Sequence, residues 1–244
     1  MVNAMGRIEQ ITDGLWIATA PVRFAGAWFP HTMTAIRLEN GALLLHSPCR
    51  PSLQLHDELR ALGPVGHVVA PNWFHDLYLR EYRLAYPQAL FWGPARLRSL
   101  KPTLIDRVLT NSTRTPWLSE MAHIQLPGLL AFEECLFFHQ PTHTLVIADF
   151  LFNLKVQDDT PPFTRLAYNL SGLNGHLAAF PLLRALSVLN RTALRRATSR
   201  IFAWDVQRIV VGHGEPINSG AMHALRDALR WLGDPLSATV RRSP

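Results

Sequence analysis

The chain has 244 residues, of which 48% are hydrophobic and only 17% charged, and its 24 Lys+Arg against 18 Asp+Glu leave a formal charge of +6. Disordered chains combine low apolar content with high charge, so this composition excludes them and predicts a folded protein with a sizeable core. The basic excess comes from 22 arginines and two lysines, Lys101 and Lys155. Most arginines are scattered singly, which disfavours a phosphate-binding surface built from many clustered charges. The one dense stretch runs from Arg184 to Arg208, with Asp205 as its only acid, and reads either as a solvated helix face or as a surface for an anionic ligand. Cys49 and Cys135 are too few for a disulfide framework, and no CxxC is present. The N-terminal ten residues lack an apolar signal core, and no apolar run reaches the ~18 residues of a membrane span. The expectation is a cytoplasmic protein, one domain over residues 1–244, without repeats or membrane association.

In chain order, Leu15 to Ala18 and Met33 to Leu38 read as strands, with residues 24 to 29 as a loop between them. The turn Glu39-Asn40-Gly41 follows, then the apolar run Ala42 to His46; Asn-Gly between apolar runs is a hairpin signal. Leucines at 53, 55, 59 and 62 predict a helix over 51–62 that Gly63 stops. A short strand, His67 to Ala70, leads into a polar elbow at Pro71 to Asp76 and a helix over 77–86. Residues 101–120 read as loop with short strands. Cys135 to His139 and Thr144 to Asp149 form strands around the turn Gln140-Pro141-Thr142, and residues 155–162 form a loop. A long helix over 182–203, a buried strand over 206–212 and a last helix over 221–232 complete the chain.

Four of these apolar strands end on a polar residue: His46, Asn72, Asp149 and His213. In α/β sheets ligands bind beyond the carboxyl ends of the strands, where side chains from distant segments meet. Imidazoles and a carboxylate converging there suit zinc, iron or manganese, which accept neutral nitrogen and anionic oxygen donors. Strand ends are also where chains turn polar for capping and turn hydrogen bonds, and both readings stand at this point. His46 reads as a strand-end hydrogen bonder or a pocket residue, and Cys49 as a small buried hydrophobe near the same edge. His139 and His143 bracket a turn at the opposite ends of their strands. Trp73 and the 24–29 segment read as core or as pocket wall.

The strand, elbow and helix around Asn72, the Ala148-Asp149 strand end and the late Gly212-His213-Gly214-Glu215-Pro216 together resemble the metallo-β-lactamase-fold superfamily. The resemblance runs from about Gly14 to Leu232 and is nearest to an uncharacterised, domain-of-unknown-function branch of it. It implies a four-layer αββα sandwich, with two mixed sheets face to face and helices outside. The superfamily elbow reads H-x-H-x-D-H; here Asp76 keeps the Asp, while Asn72, Phe74 and Leu77 replace the histidines. Leu129 stands after Pro127-Gly128 where the family has another His. Asp149 and His213 match.

The resemblance therefore implies one dismantled metal position of the usual two. The other retains Asp76, Asp149 and His213, with His75 as a substitute fourth ligand, for one Zn, Fe or Mn ion. A single ion still acidifies a bound water and polarises a carbonyl. On this reading Asp76 and Asp149 are catalytic, His46, Asn72, Trp73, Phe74 and Leu129 line the pocket, and the substrate is a small ester, lactone or thioester. The alternative is an inactive protein of this fold, free of metal, that holds a small organic ligand in a cavity dried by Phe74 and Leu129. A nucleic-acid partner is disfavoured, no added nucleic-acid-processing domain being visible; the oligomeric state is left open.

Overall fold

The computed structural model describes residues 6–127, 133–186 and 190–233. Its first sheet has seven strands in chain order: β1 (Ile8–Thr12), β2 (Leu15–Phe24), β3 (Ala27–Arg37), β4 (Leu43–His46), β5 (Val65–Val69), β6 (Leu90–Gly93) and β7 (Arg107–Val108). The pairing is antiparallel through β4 and parallel from β4 to β7. Its second sheet has the order β11-β10-β9-β8, built from β8 (Met121–Gln125), β9 (Cys135–His139), β10 (Thr144–Ile147) and β11 (Arg208–Val211), with only β10 and β11 parallel.

The period-two pattern of the apolar strands decides which side chains enter which layer. Leu44 points between the sheets, while Leu43 and Leu45 point to the outer helices. In the second sheet Val146 and Val210 meet the same inner layer, and Leu145, Ile147, Ile209 and Val211 face outward. The inner layer joins Leu15, Ile17, Ile36 and Val69 of one sheet to Met121, Cys135 and Phe137 of the other, with Trp117 filling the space beside Trp92. Helices α1 (Leu53–Leu62), α2 (Leu79–Ala85) and α3 (Ala95–Leu100) cover the first sheet through Leu55, Leu59, Leu79, Tyr82 and Leu97. The second sheet is covered by α5 (Pro181–Leu186), α6 (Arg191–Ser199) and α7 (Ala221–Leu229), while α4 (Pro162–Leu170) lies against β3. Two sheets packed face to face between helices make the αββα sandwich that the resemblance implied. No helix among the described residues is long and apolar enough to cross a membrane.

Helix α1 begins and ends on chemistry visible in the sequence: Ser52 Oγ accepts from the Leu55 amide, and the Gly63 amide donates to the Leu59 carbonyl. Other boundaries differ from expectation. Residues 24–29 are the tip of a long β2–β3 hairpin, whose turn residues Ala25 and Gly26 both have positive φ, +47° and +86°. A two-residue hairpin turn needs that handedness to match the strand twist, and an Ala at the first position hides the signal. Helix α2 starts at Leu79 rather than Leu77, because Asn72 Oδ1 takes the amides of Phe74 and His75 and holds the elbow in turns. The expected long helix over 182–203 is α5, then α6, then a 3-10 turn at Arg200–Ala203 among the described residues. Near that turn the Thr198 hydroxyl bonds back to the Leu194 carbonyl.

Candidate functional site

The strands β4, β5, β10 and β11 all end at the same edge of the sandwich, and the residues that follow them meet there. The path into His213 is the most constrained. A Cβ on Gly212 would sit 2.9 Å from the Ala148 carbonyl oxygen, and one on Gly214, at φ +125°, would sit 2.0 Å from that of Asn153. Only glycines fit on both sides, and the backbone they allow aims the imidazole at Asp149. The His213 ring stacks on Phe152, centroids 4.9 Å apart.

Asp149 is the hub. Its Oδ1 lies 2.9 Å from His213 Nε2, and its Oδ2 lies 2.9 Å from His75 Nε2 and accepts from Asn72 Nδ2 at 2.8 Å. One ligand atom from each of His75, Asp149 and His213 falls within 4.8 Å of the others, and this is the one such group of metal-binding residue types among the described residues. His213 Nδ1 is 2.6 Å from the Pro30 carbonyl oxygen. That oxygen only accepts, so Nδ1 carries the proton and Nε2 is left facing a carboxylate oxygen. Two lone pairs at 2.9 Å repel, so the contact needs a positive centre between them: a second proton on the ring or a metal ion. A carbonyl behind the ligating imidazole is the arrangement that orients histidines toward metals.

Behind this group lies a buried polar layer. Ser47 Oγ is 2.5 Å from His75 Nδ1 and 3.2 Å from His31 Nε2. A hydroxyl has one proton and two lone pairs, so Ser47 can bond both rings at once, donating to at most one of them. Ser47 sits at φ +57°, a conformation uncommon outside glycine, directly after β4. The fully buried Glu134 accepts from the Ala148 and Asp149 amides, at 2.9 Å each, and from Asn72 Nδ2 at 3.3 Å.

Burial pushes the Asp149 carboxyl up, but the charges and hydrogen bonds of His75 and His213 outweigh it and hold it well below the usual carboxylate range. Glu134 goes the other way, raised by burial and then by the charge of Asp149 against the three N–H donors it accepts. Burial also drives His31 well below the ordinary imidazole value, and the neighbouring His75 and His213 add to the shift. His31 therefore enters the site as a neutral ring.

A cavity of about 320 Å³ opens onto His31, His75, Asp149 and His213, with Phe29, Phe74, Phe152 and Phe180 among its walls. A larger depression of about 550 Å³ gathers only residues 158–169 and is local to α4.

The residues singled out in the sequence occupy different places in this edge. His75, Asp149 and His213 come together, and Phe74 lines the cavity. Asn72 is fully buried beneath the cavity, where it ties Asp149 to Glu134. Asp76 stands outside the group, its carboxylate paired with Lys101 Nζ. His46 lies inside the sandwich with its ring edge-on to Phe137, and burial lowers its pKa to about 3. Trp73 is not among the residues that line the cavity; its ring packs on that of Phe74, centroids 4.1 Å apart, with the Arg96 guanidinium 5.1 Å from its centroid. Leu129 lies outside the described residues. Sequence reasoning missed His31, Ser47 and Glu134. The one signal for His31 was the Pro30-His31-Thr32 interruption of an otherwise apolar strand.

Solved structures share this fold. The chain superposes on a metallo-β-lactamase from Pontibacter korlensis with TM-score 0.63 and 14% identity, covering 94% of this chain and 99% of that one. It also matches the fragment 1–254 of a putative diflavin flavoprotein from Nostoc sp. (TM-score 0.67, 11% identity, 95% and 98% covered). The Pseudomonas aeruginosa enzyme FIM-1, in its mono-zinc form, matches at TM-score 0.60 and 14% identity with 96% of both chains covered. The fold is that of the metallo-β-lactamases. Residues 13–174 match the model of a family described as Domain of unknown function (DUF4336), and the chain belongs to that family. No curated protein matches the sequence.

Proposed function

We propose that the protein is a metal-dependent hydrolase with one ion per chain, zinc, iron or manganese, held by His75, Asp149 and His213 and acting on a small ester, lactone or thioester in the cytoplasm. The observation that carries this reading is His213, whose Nδ1 is committed to the Pro30 carbonyl while Nε2 faces Asp149 Oδ1 at 2.9 Å. Two imidazole nitrogens and a carboxylate are a donor set that divalent transition metals accept, and the open side faces the cavity. When bound, such an ion supplies a Lewis acid and an acidified water.

The chain's own residues supply the rest. Asn72 fixes the rotation of the Asp149 carboxylate, and Glu134 fixes its backbone. Asp149, held ionised between the two imidazoles, serves as the anionic ligand, and no part is assigned to Asp76, which Lys101 engages. Ser47 sets the tilt of His75, and the phenylalanine walls exclude water. A panel of aryl esters, lactones and acyl thioesters, assayed before and after loading with Zn, Mn or Fe, tests the proposal. Turnover that appears with metal and vanishes in Asp149→Asn is expected; no turnover of any class with a loaded site would overturn it.

The second reading is metal-free ligand binding. It is favoured by Phe74 and Leu77, both lining the cavity in elbow positions where the superfamily has histidine. A thermal shift with organic ligands and none with any of the three metals would favour it.

A further inference from the structure

The cavity is polar at its inner end and, at its mouth, at Arg23. Phe29, Phe152 and Phe180 form its walls, and its mouth is ringed by Phe24, Phe74 and Leu77, which are 59%, 46% and 54% exposed. Three large apolar side chains left in water around one opening cost hydration free energy unless a ligand covers them. Arg23 is the one Lys or Arg residue lining the cavity. It stands on β2 at the hairpin, its guanidinium 5.9 Å from the Trp28 ring centroid and Nε donating to the Gly26 carbonyl at 3.4 Å. No carboxylate among the described residues pairs with it. The lining carboxylate, Asp149, is at the inner end between two imidazoles, so the charge at the mouth is that of an unpaired guanidinium.

We propose that the cavity takes an amphiphilic acyl compound: an apolar body against the phenylalanines, and an anionic outer end, carboxylate, phosphate or sulfonate, at Arg23. That the scissile carbonyl points to His75, Asp149 and His213 rests on the hydrolase reading above; the apolar and anionic requirements do not. About 320 Å³ suits a ligand at the small end of the usual range, with a chain or ring short enough to leave its charge at the mouth. Guanidinium binds such oxyanions by paired N–H donors, at a rim site where salt screens it.

Calorimetric titration of metal-free protein with unreactive probes tests this: n-alcohols and n-alkyl sulfonates of four to eight carbons. Affinity is expected to rise about fourfold per methylene in both series, the increment of burying a CH₂. Each sulfonate is expected to bind several-fold tighter than the alcohol of equal chain length at low salt. Arg23→Gln should abolish that advantage and keep the methylene increment, while Leu77→Asn, an exposed-site change, should reduce the increment. Affinity independent of chain length, no preference for sulfonate, or a preference that survives in Arg23→Gln would overturn the proposal. Neither ion nor turnover enters the readout, so a protein that failed every hydrolysis assay would still decide it.

Discussion

The two ends of the second sheet carry similar residues and use them differently. At one end His139, His143 and Asp205 sit beside Thr142 and Thr144; at the other His75, His213 and Asp149 sit beside Ser47 and Asn72. At the first end His139 bonds the Thr142 hydroxyl three residues away, and His143 pairs with Asp205 at the surface. At the second, every partner of Asp149 comes from 15 to 77 residues away, and His31 and Ser47 arrive from β3 and the β4 end. At the first end one bond spans three residues and the one long-range pair, His143 to Asp205, lies at the surface, whereas a cluster drawn from six segments fixes several chain ends at once and leaves buried groups dependent on each other. Histidine near a strand end is therefore uninformative alone, and what marks the site is convergence on one shared carboxylate.

The largest effect expected from breaking this comparison is at Gly214. Any side chain there meets the Asn153 carbonyl, so Gly214→Ala should cost several kcal/mol, on the order of the largest single-residue losses, or prevent folding. Gly172, at φ +64° with open space around it, should tolerate Ala at a fraction of that cost, read as the difference in urea midpoint. Next in size are the residues behind the ligands. Asn72→Ala and Ser47→Ala should each weaken metal binding by about 10–100-fold, as loss of groups that orient ligands does, whereas Thr142→Ala at the opposite end should leave it unchanged.

An effect read on stability rather than on metal binding involves pH. Burial lowers His139 to about 4 and His46 to about 3, so the unfolded chain takes up protons near pH 6.5 that the folded chain refuses. Stability carried by these two rings is complete above pH 6.5 and lost as the pH falls, His139 ceasing to contribute near 4 and His46 near 3. The slope is up to about 1.4 kcal/mol per pH unit for each ring. Urea midpoints between pH 7.5 and 4.5 should fall accordingly, and His139→Gln should flatten the decline.

Many strands and helices were legible in the sequence because apolar runs and helix stops are local, while their layering was implied by the family resemblance. Leu43 to His46, the leucines of 53–62 and Gly63 each announce an element or its end through neighbours a few residues away. Asp149 and His213 were visible for a similar reason, each ending a continuous apolar strand. His31 was hidden because it lies inside β3, where register alone turns it toward the edge, and Glu134 because a Glu-Glu step before a strand looks like an exposed turn. Asp76 kept its place in the motif but not in the cluster: the Asx turn at Asn72 brings His75 to Asp149 and leaves Asp76 with Lys101.

Calorimetric titration of chelator-stripped protein with Zn, Mn and Fe(II), alongside elemental analysis, tests most directly whether His75, Asp149 and His213 hold one ion. About one ion per chain is expected for the unaltered protein and for His143→Ala at the opposite edge, with binding lost in His213→Ala. A content below about 0.2 ion per chain at a pH where imidazole is neutral, or undiminished binding in His213→Ala, would contradict it.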